Sequence, residues 1–284
     1  MTAALGVILD PRSNSQKYFG GGQVAMKAKN VSDDTNSHTD DITAIRISTD
    51  RKHAVSGQVG SSPVAFMWDA STGQKVQRYK LPKGSRGIDA IALSNDGSLV
   101  ALVDRHDDHN VYLFEAMSGT LIGKTKGDTN RIFDMCFTGR SGDKSFVTVG
   151  AKHIRFWSSD PLDGKRGVFG SNEQTSFACC AMDDNGVAYA GGANGLIYVW
   201  NGNSCSATWN FHKGGFVGAL RFAEGKLYSG GKDGNLCIIN TQTQSVEKTI
   251  SFDGILIRAI DVFGGSAVVG MRSGTIFHVN LQTD

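Results

Sequence analysis

Tyr228-Ser-Gly-Gly-Lys-Asp-Gly-Asn-Leu-Cys-Ile-Ile-Asn240 is the stretch that decides the fold. Two short apolar runs flank a turn. Gly230-Gly231 and the run Lys232 to Asn235 bend the chain, and the Tyr-, Leu- and Ile-bearing segments on either side read as strands. A single hairpin of this kind is barely stable in water. The pattern, however, recurs. Ala190-Gly-Gly-Ala-Asn-Gly-Leu-Ile-Tyr-Val-Trp200 and Val269-Gly-Met-Arg-Ser-Gly-Thr-Ile-Phe-His-Val279 are further copies, and Val149-Gly-Ala-Lys-His-Ile-Arg-Phe-Trp157 is one with a shorter turn. Looser versions with longer turns run from Ser56 to Asp69 and from Leu102 to Phe114.

Each copy is preceded by an apolar run: 42–48, 88–94, 132–137, 177–182, 216–222 and 257–262. Successive runs start about 40–46 residues apart, the period of a four-stranded propeller blade. Asn95-Asp-Gly97 and Asp184-Asn-Gly186 supply turns that close the first hairpin of a blade. Polar segments such as 74–79 and 245–250 follow the central hairpin and read as rim strands, whose polarity guards against edge pairing. One blade cannot bury both of its faces, whereas a closed ring of blades can. The expected fold is therefore an all-β propeller, one domain over residues 1–284, with six complete four-stranded blades in 38–284. Residues 1–37 hold a partial blade. Segments 5–9 and 16–19 read as outer strands that close the ring, and 20–37 as a loop with room for a short strand at Val24-Ala-Met26.

Composition narrows the function. Thirty-six glycines against four prolines suit many short strands joined by glycine turns. A formal net charge of +2 argues against bulk electrostatic binding to nucleic acid or to an acidic membrane. No apolar run approaches the roughly 18–20 residues that span a bilayer, and Met1-Thr-Ala-Ala-Leu-Gly6 lacks the layout of a signal peptide. Cys136, Cys179, Cys180, Cys205 and Cys237 show no Cys-x-x-Cys spacing and read as buried free thiols of a reducing, cytoplasmic compartment.

Chemistry-bearing constellations are sparse. Asp104-Arg-His-Asp-Asp-His109 gathers ligand-type residues, but a carboxylate-rich run around Arg105 is a poor zinc site and reads as a solvated loop in a long hairpin turn. No Gly-x-Ser-x-Gly elbow, His-Glu-x-x-His helix or phosphate-binding glycine loop is present. The expectation is a protein that is not an enzyme, with no catalytic residues, no cofactor and no metal.

Several stretches carry a family resemblance. Gly6-Val-Ile-Leu-Asp-Pro-Arg-Ser-Asn-Ser-Gln-Lys-Tyr-Phe19 and His38-Thr-Asp-Asp-Ile42 resemble the first propeller of the echinoderm microtubule-associated protein-like family. So do Ser56-Gly-Gln58, Arg131-Ile-Phe-Asp134 and, most specifically, Lys152-His-Ile-Arg-Phe-Trp157 followed by Lys165-Arg-Gly-Val-Phe-Gly170. The likeness runs along nearly the whole chain, on the side of the family with tandem propeller pairs. It implies a seven-bladed ring whose first blade is matched here only from its third strand, and a WD-repeat scaffold. Members associate with tubulin or microtubules, and related propellers occur in cilia and flagella. Neither a second propeller nor the N-terminal coiled coil of typical members is in the sequence.

The same resemblance assigns structural roles. His38 and His212, each shortly before an opening strand, match the WD-repeat histidine that bonds to groups near the blade core, including a turn Asp and a Trp. Trp157 and Trp200 match that Trp, Trp68-Asp69 keeps the full dipeptide, and Phe114-Glu115 and Ile239-Asn240 fill the same place. For binding, Lys80, Lys83 and Arg86, then Lys124, Lys126 and Arg131, then Lys152 fall in loops of three successive blades that share one face. Two readings stand. One is a basic arc that meets an acidic protein surface such as the glutamate-rich tails of tubulin, where charge would govern on-rate and orientation. The other is a mixed-sign rim, because Asp128 and the 104–109 loop share the sector. The expected activity is that of a microtubule-associated scaffold of the cytoskeleton, in the cytoplasm and in a cilium or flagellum; a WD-repeat adaptor with a non-tubulin partner is the alternative.

Overall fold

The computed structural model describes residues 4–20 and 36–282, and every regular element among them is a β-strand. The expected short strand at 24–26 lies outside the described residues. The chain divides into two compact units, Met1–Ile132 and Phe133–Asp284.

The first unit opens with a hairpin, β1 (Leu5–Asp10) and β2 (Ser15–Gly20), which forms a two-stranded sheet. Two four-stranded antiparallel sheets follow. The first contains β3 (Ile42–Ile47), β4 (His53–Gln58), β5 (Val64–Asp69) and β6 (Lys75–Lys80). The second contains β7 (Ile88–Leu93), β8 (Leu99–Asp104), β9 (Val111–Glu115) and β10 (Leu121–Thr125). Strands run in sequence order across each sheet, as expected when every connection is a hairpin. The inner strands β4 and β8 are buried on both faces, whereas β6 and β10 alternate into solvent. Val55, Met67 and Tyr79 of one sheet meet Ile91, Leu102 and Tyr112 of the next in a shared core. The hairpin packs on the other side of the first sheet through Phe19, which stacks on Trp68 at 5.4 Å and leans on Phe66 at 5.5 Å.

The second unit repeats the plan. Its sheets are β11 (Ile132–Phe137), β12 (Phe146–Gly150), β13 (His153–Ser159) and β14 (Leu162–Arg166); β15 (Phe177–Met182), β16 (Ala188–Gly192), β17 (Ile197–Asn201) and β18 (Ser204–Trp209); and β19 (Val217–Ala223), β20 (Lys226–Gly231), β21 (Asn235–Asn240) and β22 (Ser245–Ser251). The last is β23 (Ile257–Phe263), β24 (Ser266–Met271) and β25 (Ile276–Asn280). Among the described residues this sixth repeat pairs three strands, one fewer than the four expected.

Gly230 and Gly231 correct the first reading of the central hairpin. They do not bend the chain. Both lie in extended backbone inside β20, and the turn is left to residues 232–234, where Gly234 takes φ 75°. The glycines are there for close approach. A Cβ on Gly230 would collide with the Ile257 side chain of the next sheet, and one on Gly231 with the His212 ring. Gly57 and Gly191 hold the same place in their sheets, against Ile88 and Val217. Each missing side chain is a socket for the first residue of the following repeat.

Candidate protein-interaction site

The central hairpins are held by polar links buried inside the blades. In the first sheet His38 Nδ1 donates to Gln58 Oε1 at 2.9 Å, and Nε2 accepts from the Ser56 hydroxyl at 2.7 Å. The Ser56 oxygen accepts in turn from Trp68 Nε1 at 3.0 Å. Burial favours the neutral ring and lowers the His38 pKa from 6.5 to about 4. His212 makes the matching contacts to Asp233, 3.1 Å, and Ser229, 2.8 Å, in a sheet with no Trp. Trp157 donates to Thr148 at 3.0 Å, whereas Trp200, with Ala190 in the hydroxyl's place, meets no acceptor among the described residues. The Asp of the Trp68-Asp69 dipeptide has a separate task. Asp69 Oδ1 caps the β5–β6 turn by accepting from Ser71 and Thr72. Glu115 and Asn240 cap their own turns in the same way. His38 and His212 are thus occupied in holding the hairpins.

Function is left to the loops, and alternation of strand direction decides which loops meet. The start of β7, the end of β8, the start of β9 and the end of β10 lie at one end of their sheet. Loops 81–87, 105–110 and 126–131 therefore converge there. Arg86 N–H donates to the Arg105 carbonyl and Arg105 N–H to the Gly87 carbonyl, which zips the first two loops together at 3.0 and 2.7 Å. Gly127 N–H donates to the Asp108 carbonyl and adds the third loop.

Asp104 does not belong to a solvated loop, as its polar run suggests. It is 1% exposed. Its carboxylate accepts from the Asn110 backbone at 2.7 Å and from the Tyr112 hydroxyl at 3.0 Å. Burial, then the Asp104 charge and its hydrogen bond, push the Tyr112 phenol above its ordinary range. Among the described residues no group of three His, Cys, Asp or Glu is placed to hold a metal ion. All five cysteines are free thiols, with Cys136 and Cys205 only half-buried.

The converging loops enclose a pocket of about 300 Å³ that brings Lys83, Lys124 and Lys126 together beside His106, Asp104 and Asp108. Lys126 sits 3.3 Å from Asp108. Lys124 Nζ lies 5.3 Å from the Tyr112 ring centroid, over its face. Lys83 is exposed and has no ion partner among the described residues. Arg86 pairs with Asp107 at 2.8 Å and holds its carboxyl below the usual range. Arg131 lies 3.3 Å from Asp89, whose side chain is 2% exposed and which also binds Arg105 at 2.6 Å. Lys80 ends β6, before these loops begin.

The cationic residues are therefore interleaved with carboxylates, and Lys83 and Lys124 are the lysines of the pocket that no carboxylate pairs. Lys152 belongs to the second unit, on the β12–β13 turn at φ 59°. Sequence reasoning missed Ser85, Asn110 and Tyr112 as lining residues. Tyr112 sits in an apolar run, where nothing but its register reveals that its hydroxyl reaches the loop end.

Among the described residues no helix is long and apolar enough to cross a membrane. Among solved structures the chain is similar to the WD40 repeats of RRP9, with TM-score 0.68 and 16% identity over 84% of this chain and 75% of that one. It is likewise similar to the computationally designed Ika8 protein, with TM-score 0.67 and 21% identity over 87% and 73%. Both show the fold alone, an all-β propeller. The chain is 45% identical over 282 residues to the ciliary WD repeat-containing protein ctxp80 of Euplotoides octocarinatus, covering 98% of this chain and 39% of the relative. It is 26% identical over 183 residues to echinoderm microtubule-associated protein-like 3 of Homo sapiens, covering 57% and 20%. The chain thus spans well under half the length of these relatives. The sequence profile of the echinoderm microtubule-associated protein first β-propeller matches residues 36–277, from the residues just before β3 into β25. By that match along most of its length, the chain belongs to the echinoderm microtubule-associated protein first β-propeller family.

Proposed function

We propose that the chain is a non-enzymatic protein-interaction scaffold that associates with microtubules, and that the loop end of the β7–β10 sheet is a contact surface. The observation that carries the proposal is the pair Lys83, on a loop pinned by backbone hydrogen bonds, and Lys124, which lies in strand β10 rather than on a loop, neither paired with a carboxylate among the described residues. Pinned loops lose little conformational freedom on binding. The surrounding acids, Asp107 and Asp108, keep the surface from attracting polyanions indiscriminately. An acidic protein segment such as the glutamate-rich tail of tubulin suits this arrangement, with charge governing encounter and orientation. Family membership and the ciliary relative support a cytoskeletal setting, in the cytoplasm and in a cilium or flagellum. That residues 1–284 act as one domain is part of the same proposal, and a single calorimetric transition is expected.

The test is co-sedimentation with microtubules of the parent chain and of Lys83→Glu/Lys124→Glu, at ~50 mM and ~200 mM salt. The parent chain is expected to pellet at the lower salt and less so at the higher one. The double reversal should weaken binding roughly tenfold, about 1.4 kcal/mol. A parent chain that stays in the supernatant, or a variant that pellets equally well, overturns the proposal and favours an adaptor with another partner.

A further inference from the structure

In the second unit three loops meet at the end of the β19–β22 sheet where β19 begins and β20 ends. Residues 210–216 lead into β19, 232–234 turn from β20 to β21, and 252–256 lead into β23. Lys232 N–H donates to the Phe216 carbonyl at 2.9 Å and Lys213 N–H to Asp233 Oδ2 at 3.2 Å, which ties the first loop to the second. Phe252 N–H donates to the Gly234 carbonyl at 2.8 Å. A Cβ on Gly234 would collide with Gly254 and with the Ile255 backbone, so the third loop lies directly on the second.

Phe216 stands out on backbone grounds. It continues a left-handed run, with φ 90° at Gly214, 78° at Gly215 and 57° at Phe216 itself. Glycine takes this conformation freely, whereas a bulky side chain there is an outlier of the kind that gathers at binding sites. The half-buried ring lies against Gly218, and the Arg258 guanidinium stands over it, 5.6 Å from its centroid. Ile255, on the third loop, is 39% exposed. Charge here is one-sided. Lys213, Lys232 and Arg258 are exposed, and none has a carboxylate partner among the described residues. Asp233 is engaged internally: Oδ1 meets His212 Nδ1 and the Asn235 N–H, and Oδ2 meets the Lys213 N–H and the Asn235 amide. Asp253 is the exposed acid of the three loops.

We propose that this loop end binds a protein segment in which an aromatic side chain is flanked by carboxylates. The carboxylates meet Lys213 and Lys232, and the aromatic side chain packs on Arg258 and Phe216, continuing their stack. Aromatic and arginine anchors carry much of the binding energy at interfaces, and contact between a ring and a guanidinium plane selects for more than charge. Three cations against one exposed acid supply the electrostatic complement to the flanking carboxylates. An all-glutamate tail lacks the anchor, so this partner differs from the one proposed for Lys83 and Lys124. The inference goes beyond microtubule association and uses the other unit of the chain.

The experiment is calorimetric titration of the full chain with the peptide acetyl-Glu-Glu-Trp-Glu-Glu-amide and two controls, one with glycine for the tryptophan and one with glutamine for every glutamate. The parent chain is expected to bind the first peptide roughly tenfold more tightly than either control. Arg258→Gln and Phe216→Asn should each weaken that binding roughly tenfold. Asn accepts a left-handed backbone, and Arg258 is exposed, so Arg258→Gln decides the matter should Phe216→Asn fail to fold. No binding of the first peptide overturns the proposal, as does equal binding of either control or binding that survives Arg258→Gln. Arg258→Gln should leave microtubule co-sedimentation unchanged, and Lys83→Glu/Lys124→Glu should leave peptide binding unchanged, which separates failure here from failure of the β7–β10 surface.

Discussion

Ala190 occupies the strand position that Ser56, Thr148 and Ser229 fill in other repeats, and the Trp200 indole N–H beside it is buried without an acceptor. A buried donor left unmade costs more than a typical hydrogen bond contributes. Ala190→Ser is therefore expected to stabilise the chain by about 1 kcal/mol, read as a raised urea midpoint at unchanged slope. A lower midpoint would show that the hydroxyl does not reach the indole. His38 gives a second expectation at this scale. Its folded pKa, about 4, lies below its ordinary 6.5, so the neutral ring stabilises the fold above pH 6.5. As the pH falls from 6.5 towards 4, the unfolded chain takes up a proton that the folded chain does not, and about 3 kcal/mol of stability is lost. Asp50 and Asp69, held low first by the Ser48 and Ser71 hydroxyls, titrate below 3.8 and outside this window. Denaturation at pH 7 and pH 5 should show a steeper loss for the parent chain than for His38→Gln. Parallel losses would refute the assignment.

At the scale of the element, the repeated glycine is where sequence and structure part company. Extended glycines and turn glycines look alike in a sequence, so Gly230-Gly231 reads as a bend. Only the neighbouring sheet shows that Gly230 is a socket for Ile257, as Gly57 is for Ile88. Gly230→Ala should force the sheets apart and cost about 1–3 kcal/mol, whereas Gly225→Ala, in a turn with nothing near its Cβ, should cost only the strain of φ 76°. A Gly230→Ala chain as stable as its parent would mean that the sheets slide freely. Strand positions themselves were legible. The runs at 132–137 and 177–182 become β11 and β15 with the same bounds, because apolar residues bounded by turn chemistry specify strands locally. Burial of Asp104 was not legible: six polar residues in a row look like a loop, and only the register of β8 places the first of them inside the sheet.

For the molecule as a whole, what could be read in advance was the repeat and, as one of two readings, a mixed-sign rim; what could not was which cation meets which acid. Lys83 stands far from Lys124 and Lys126 in sequence, yet hairpin topology brings the three to one pocket. The same topology sets Asp107, Asp108 and the buried Asp89 against the neighbouring cations, a pairing that a count of lysines and arginines does not reveal. Rigid sheets that present pinned loops are the physical basis for a scaffold: binding alters the loops and leaves the strands as they are. Amide hydrogen exchange of the chain with and without microtubules tests that claim most directly. Slowed exchange is expected in loops 81–87, 105–110 and 126–131, with β4 and β8 unchanged and the most protected strands of their sheets. Protection confined to the rim strands β6 and β10, with these loops exchanging as before, would contradict it.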